Sequence, residues 1–86
     1  MSISREEILA KLTEVLAAGF ELRRDQIVPD ARLVEDLELD SLDRVDLVVR
    51  LEQETALGIE EDELKTILTV GDIVSVLHSK FNSGPP

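Results

Sequence analysis

The stretch VEDLELDSLDRVDLVVRLEQE, residues 34–54, decides how the rest of the chain is read. Asp40 stands just before an aliphatic run and Asp43 three residues on, which predicts a capped helix from about Ser41 to Thr55. Wound at the α-helical period, that helix has two apolar sides. Leu42, Val45 and Val49 fall on one of them, and Leu47, Val48 and Leu51 on the opposite one. Asp43, Asp46, Arg50 and Glu54 fill a flank between the two. A small bundle can bury only one stripe. The 47/48/51 stripe extends toward the helix end where other helices can cover it, so it is assigned to the core. Leu42, Val45 and Val49 are then left partly exposed beside carboxylates. Scattered surface aliphatics are ordinary; an apolar stripe edged with acids also suits a docking surface for a basic partner. The pattern alone leaves both readings open.

Ser41 sharpens the question. The first-turn N–H groups of a helix lack partners and carry the positive end of the dipole, so a phosphate hung from a serine there would be stabilised. Serine at a helix start is equally a plain capping residue. As a nucleophile it would need a base. The chain's single histidine, His78, falls near the end of the last helix among polar positions, where a solvated surface role is the expectation. No catalysis by this chain is predicted.

Working outward, SREE predicts a first helix capped by Ser4 with Glu7 at the box position. Ile8, Leu9, Leu12, Val15 and Leu16 form its stripe, and Gly19 is its expected stop. Periodicity fades from Phe20 to Asp40, where Pro29 forbids a long helix. Leu22, Ile27, Leu33 and Leu37 there act as anchors, and a short helical turn is expected around residues 30–36. Gly58 marks the far boundary of the second helix. EEDELKTIL predicts a short third helix with Leu64, Ile67 and Leu68 inward. Thr69, with Asp72 at the box position, opens a fourth carrying Ile73, Leu77 and Phe81. The expected fold is all-α: an antiparallel four-helix bundle of three longer helices and one short one, with a long loop between the first and second helices. Residues 1–81 make a single unit and 82–86 a flexible tail.

Composition bounds the function. Eighty-six residues make one thin, aliphatic core with only Phe20 and Phe81 as aromatics. Absence of cysteine removes disulfides and thiolate metal sites. No apolar run approaches the ~18 residues of a membrane span, so no membrane insertion and a cytoplasmic location are expected. The net charge of −10 argues against nucleic acid as a partner. Residues 35–54 hold eight acids against Arg44 and Arg50, which points to a partner with a basic face. Alternating Asp36, Glu38 and Asp40 invite an EF-hand reading, but its sixth and twelfth places hold Ser41 and Leu47 instead of Gly and Glu. No metal site is predicted.

Taken together, VEDLELDSLDRVDLVVRLEQE, the preceding ARLVEDL and the later LTVGDIVSVL resemble the acyl carrier proteins. The similarity runs ungapped from about Ala31 to Leu77. The resemblance implies that Ser41, the serine of Asp-Ser-Leu, carries 4′-phosphopantetheine, added from coenzyme A by a phosphopantetheinyl transferase. The thiol of that arm would hold acyl groups as thioesters for acyl-loading and acyl-processing enzymes with basic docking patches. The positions matching the family's docking surface are Glu38, Asp40, Leu42, Asp43, Val45, Asp46, Val49 and Glu52. The acyl chain is expected to fold back among Val48, Leu51, Leu64, Ile67 and Val70, and the carrier to be a monomer. Glu38 stands where the family commonly has Gly, Thr55 where it often has an aromatic, and no Pro follows Ile59. The pathway therefore stays open between fatty-acid, polyketide and another dedicated acyl route. The alternatives are a helical interaction module without a prosthetic group, or a D-alanyl or peptidyl carrier.

Overall fold

A computed structural model describes residues 3–55 and 58–82. The described residues form four α-helices: α1 (Arg5–Phe20), α2 (Ser41–Thr55), α3 (Glu61–Thr66) and α4 (Val70–Asn82). Three are long and one short, and the described residues contain no strand. A single isolated bridge joins Arg32 and Thr69.

Each helix begins where its cap places it. The Ser4 hydroxyl accepts from the Glu7 N–H at 3.1 Å. Thr69 and Asp72 cap reciprocally: Asp72 N–H donates to Thr69 Oγ1, and Thr69 N–H to the Asp72 carboxylate. In α3, Glu60 N–H donates to Glu63 Oε1 at 3.0 Å. These contacts satisfy N–H groups that have no partner inside the helix.

The first helix does not stop at Gly19. It runs to Phe20 and ends on Glu21, which takes the left-handed conformation with φ 55°. Gly19 serves packing instead. A Cβ there would lie 3.2 Å from Arg50 Cδ and Nε, and the Arg50 guanidinium continues over the Phe20 ring at 5.6 Å from its centroid.

The loop carries two short turns. One is a 3-10 turn at Arg24–Gln26; the other lies where a helical turn is expected, with Asp36 N–H and Leu37 N–H both donating to Arg32 O, the first of these being the i→i+4 bond of a single helical turn. The turn goes no further, and the backbone around it pairs across the molecule. Leu33 N–H donates to Leu68 O at 3.0 Å, Val70 N–H to Ala31 O at 3.0 Å and Gly71 N–H to Pro29 O at 2.9 Å. The last two satisfy opening N–H groups of α4. Gly71 permits the approach, since a Cβ would meet Pro29 O at 3.0 Å. Ile27, Leu33 and Leu37 anchor the loop as expected; Ala31 and Leu39 are buried with them, and Leu22 only partly.

Helix α4 lies antiparallel to α1: Arg5 Nη2 donates to Ser75 Oγ, and Ile3 N–H to Asn82 Oδ1. Helix α2 is also antiparallel to α1: Lys11 pairs with Glu54, and Gly19, further along α1, packs against Arg50, earlier in α2. The shared core is aliphatic, with Leu12, Leu16, Leu51, Ile67, Val70 and Leu77 essentially inaccessible and no polar or charged residue buried among the described residues. Within α4, Ile73 and Leu77 face the core and Phe81 is partly buried. That helix continues one residue beyond the expected end of the bundle. Residues 83–86, most of the expected tail, lie outside the described residues, as do residues 56–57 between α2 and Gly58.

Candidate functional site

The site grows from the start of α2. Asp43 N–H donates to Asp40 Oδ1 at 2.9 Å, and Asp40 N–H to Asp43 Oδ2 at 3.3 Å. With the cap built by these two carboxylates, Ser41 is left over. Its side chain is exposed, and its hydroxyl makes no hydrogen bond with the described residues. Just upstream, Glu38 takes φ 57°. That left-handed residue turns the chain so that Leu39 drops into the core and bonds back through its N–H to Leu33 O at 2.9 Å.

Of the two apolar stripes, the core takes the one assigned to it. Leu47 and Leu51 are buried and Val48 half-buried. On the other side Leu42 is 80% exposed, Val45 53% and Val49 48%. Glu38, Asp40, Asp46 and Glu52 are exposed around that stripe, and Asp43 is half-buried by its capping role. Asp46 also pairs with Arg50 one turn on, at 3.3 Å. All eight sequence-derived docking positions are thus gathered on or beside one face of α2. His78 sits on α4 near its C-terminal end, where its carbonyl accepts from Asn82 Nδ2.

Beside Ser41 lies an open groove of about 350 Å³, lined by Ser41, Arg44, Val45, Leu64, Lys65 and Leu68. Three of these residues the sequence reading missed: Arg44, Lys65 and Leu68. Leu68, expected inward, is 67% exposed: it lies beyond the end of α3, and its N–H is bound by the Asp72 carboxylate at 2.9 Å, which holds its backbone outside the helical pattern. Arg44 counted only as a base, but it pins α3 to α2. Its Nη2 donates to Leu64 O at 2.9 Å and to Ile67 O at 3.1 Å, while Nε is buried without a partner. The three-residue spacing from Ser41 was the available signal that both lie on one helix face.

The expected interior lining is shut. Leu51, Ile67 and Val70 are no more than 1% exposed. Leu64 borders the groove, and Ile67 borders a neighbouring cavity with Leu68, Val34 and Arg44. On its other side α3 is tied to α4 by Lys80 Nζ and Glu63 Oε1 at 2.9 Å. The Lys80 hydrogen bond, with a further one from the Glu60 backbone, holds the Glu63 carboxyl below its usual range. Across α1 and α2, Glu54 raises the Lys11 ammonium above its ordinary value.

The start of α2 thus places an accessible serine hydroxyl, unbonded among the described residues, beside an open groove and an exposed apolar stripe edged with acids. The family described as "Phosphopantetheine attachment site" matches residues 7–77. The acyl carrier protein of Thermotoga maritima is 40% identical over 78 residues, covering 91% of this chain and 96% of that one. The meromycolate extension acyl carrier protein of Mycobacterium leprae is 29% identical over 85 residues, 99% of this chain and 74% of that one. The solved structure of the acyl carrier protein from Enterococcus faecalis superposes with a TM-score of 0.73 at 30% identity, covering 90% and 98% of the two chains. The chain belongs to the acyl carrier protein family. Its members are carriers and not enzymes, and their prosthetic group is covalently attached 4′-phosphopantetheine. They work with a phosphopantetheinyl transferase and acyl-processing enzymes. No helix among the described residues is long and apolar enough to cross a membrane.

Proposed function

We propose that Ser41 is the attachment residue and that residues 1–81 act as one carrier unit, presenting acyl thioesters to enzymes with basic faces. The observation that carries this reading is the division of labour at the start of α2. Asp40 and Asp43 cap the helix, so the Ser41 hydroxyl is exposed and unbonded. Unpaired first-turn N–H groups beside it suit the phosphate of a phosphodiester. The arm supplies the thiol that this cysteine-free chain lacks. Leu42, Val45 and Val49 supply contact area, and Glu38, Asp40, Asp43, Asp46 and Glu52 select a cationic partner and speed encounter. Docking of this kind is weak and fast, as handing a substrate between enzymes requires. The carrier works as a cytoplasmic monomer in fatty-acid synthesis or a dedicated acyl route.

Intact mass after incubation with coenzyme A and a broad-specificity phosphopantetheinyl transferase tests the assignment. The wild-type chain gains the mass of one arm, and Ser41→Ala gains none. An unchanged wild-type mass, with a known carrier modified in parallel, rejects it, as does a gain that survives Ser41→Ala.

A further inference from the structure

We propose that Arg44 is the specificity-determining latch of the seam between α2 and α3, excluding short acyl groups from the core and yielding only to chains long enough to displace it. The proposal rests on the assignment of Ser41 as the tether. Arg44 lies three residues after Ser41 and, with it, lines the groove that a tethered group first enters. Its Nη2 reaches across the seam to Leu64 O at 2.9 Å and Ile67 O at 3.1 Å. Leu64 O, in the last turn of α3, also accepts from Ile67 N–H at 3.2 Å, and Ile67 is the residue that follows the helix, so Arg44 clasps the C-terminal end of α3. Helix α3 has only six residues, too few to hold its position by its own hydrogen bonding. Its placement depends on ties such as this one and the Lys80–Glu63 pair.

Behind the latch there is no room. Leu47, Leu51, Ile67 and Val70 are packed at 2% exposure or less. In front, the groove offers Val45, Leu64 and Leu68. An acyl group is therefore either held at the surface, in this groove or in the neighbouring open cavity of about 480 Å³ bordered by Val34, Arg44, Ile67 and Leu68, or admitted to the core by parting α2 from α3, which breaks both Arg44 bonds. Losing two hydrogen bonds from a charged donor offsets burial of roughly four to seven methylenes. The Nε, already buried without a partner, lowers the resistance to release, because it regains a partner once the guanidinium swings into water. Acetyl and butyryl groups then remain in the groove, open to solvent and to partner enzymes, while octanoyl and longer chains enter.

The test loads the full-length wild-type chain, Arg44→Ala and Arg44→Gln with acetyl, butyryl, octanoyl and dodecanoyl arms from the corresponding acyl-coenzyme A. Thioester cleavage by hydroxylamine is read against free acyl-pantetheine, with backbone amide shifts of Leu51, Ile67 and Val70. In the wild type, acetyl and butyryl cleave as fast as the free thioester, whereas octanoyl and dodecanoyl are protected. In Arg44→Ala, butyryl cleaves roughly tenfold slower than in the wild type, the factor that about two buried methylenes provide. Arg44→Gln, which keeps one donor group, falls between. Equal length profiles in all three chains, or a protected butyryl group in the wild type, overturn the latch. Should the variants unfold, the wild type still decides: the Arg44 guanidinium NMR signals keep restricted rotation in the acetyl form and lose it in the dodecanoyl form, and no difference between forms overturns the proposal. A wild-type chain that accepts no arm instead overturns the Ser41 assignment, and this inference with it.

Discussion

Asp40 and Asp43 cap each other across the first turn of α2, each backbone N–H bound by the other's carboxylate. Ser41, between them, is therefore dispensable to the helix. Removing either carboxylate leaves a backbone N–H to find water, so Asp40→Ala or Asp43→Ala destabilises by about 1 kcal/mol. Ser41→Ala stays within about 0.5 kcal/mol of wild type. Urea denaturation of the three apo variants checks this; a Ser41→Ala loss equal to the others would mean that the hydroxyl is a cap.

The same geometry separates the acidic residues into two kinds. Asp43 supports the helix, so its reversal mixes folding with docking, while Asp46 and Glu52 are exposed and take no part in the cap. Asp46→Lys with Glu52→Lys should lower the association rate with a basic-faced partner by roughly tenfold and weaken its dependence on salt, with little change in Tm. Stopped-flow binding at two ionic strengths reads both effects. Unaltered association would remove electrostatic steering from the account.

Two glutamates sit in the left-handed region: Glu21 at the end of α1 and Glu38 before α2. Glycine has no Cβ to strain there, although it loses more backbone entropy on folding. Glu21→Gly and Glu38→Gly should each stabilise by about 0.5–1 kcal/mol. Calorimetry of the single variants shows this as raised Tm values; a fall at both would deny the strain.

The Glu63–Lys80 contact makes part of the α3–α4 packing dependent on pH. Glu63 has a lowered pKa in the folded chain, so its contribution is complete above the usual glutamate value of about 4.3 and disappears as pH falls through the lower, folded one. Its side chain is a third exposed, which limits the effect to about 1 kcal/mol or less. Compared with wild type, Glu63→Gln should lose stability at neutral pH and none at the acid end. A deficit of constant size at every pH would assign the loss to something other than ionisation.

The interior tolerates little. Leu12 is fully buried, and Leu12→Ala should cost about 2–5 kcal/mol. A single core of this size supplies only about 3–5 kcal/mol of net stability, so the variant is expected to lose cooperative melting by circular dichroism. A retained sharp transition near the wild-type Tm would show a larger reserve.

The helices were legible because their information is local. Ser4, the Asp40–Asp43 pair and the Thr69–Asp72 pair sit within four residues of the groups they satisfy, and the stripe of Leu47 and Leu51 is a matter of period. Family membership was legible for the same reason, since the Asp-Ser-Leu stretch and its acidic helix are contiguous. Gly19 misled because its neighbour Arg50 is distant in sequence, and a glycine near a helix end has the same appearance whether it stops the helix or admits a side chain.

By itself the sequence determined where helices start, which face of α2 is buried and that the chain is an acyl carrier. Only the tertiary structure decided that residues 31–33 pair with residues 68–70, that Leu68 faces outward, and that Arg44 closes the seam beside Ser41. Caps and periodicity act over a few bonds of chain and can be read in order. Bonds such as those from Arg44 to Leu64 and Ile67 join segments about twenty residues apart, and they exist only once the folded core has brought those segments together.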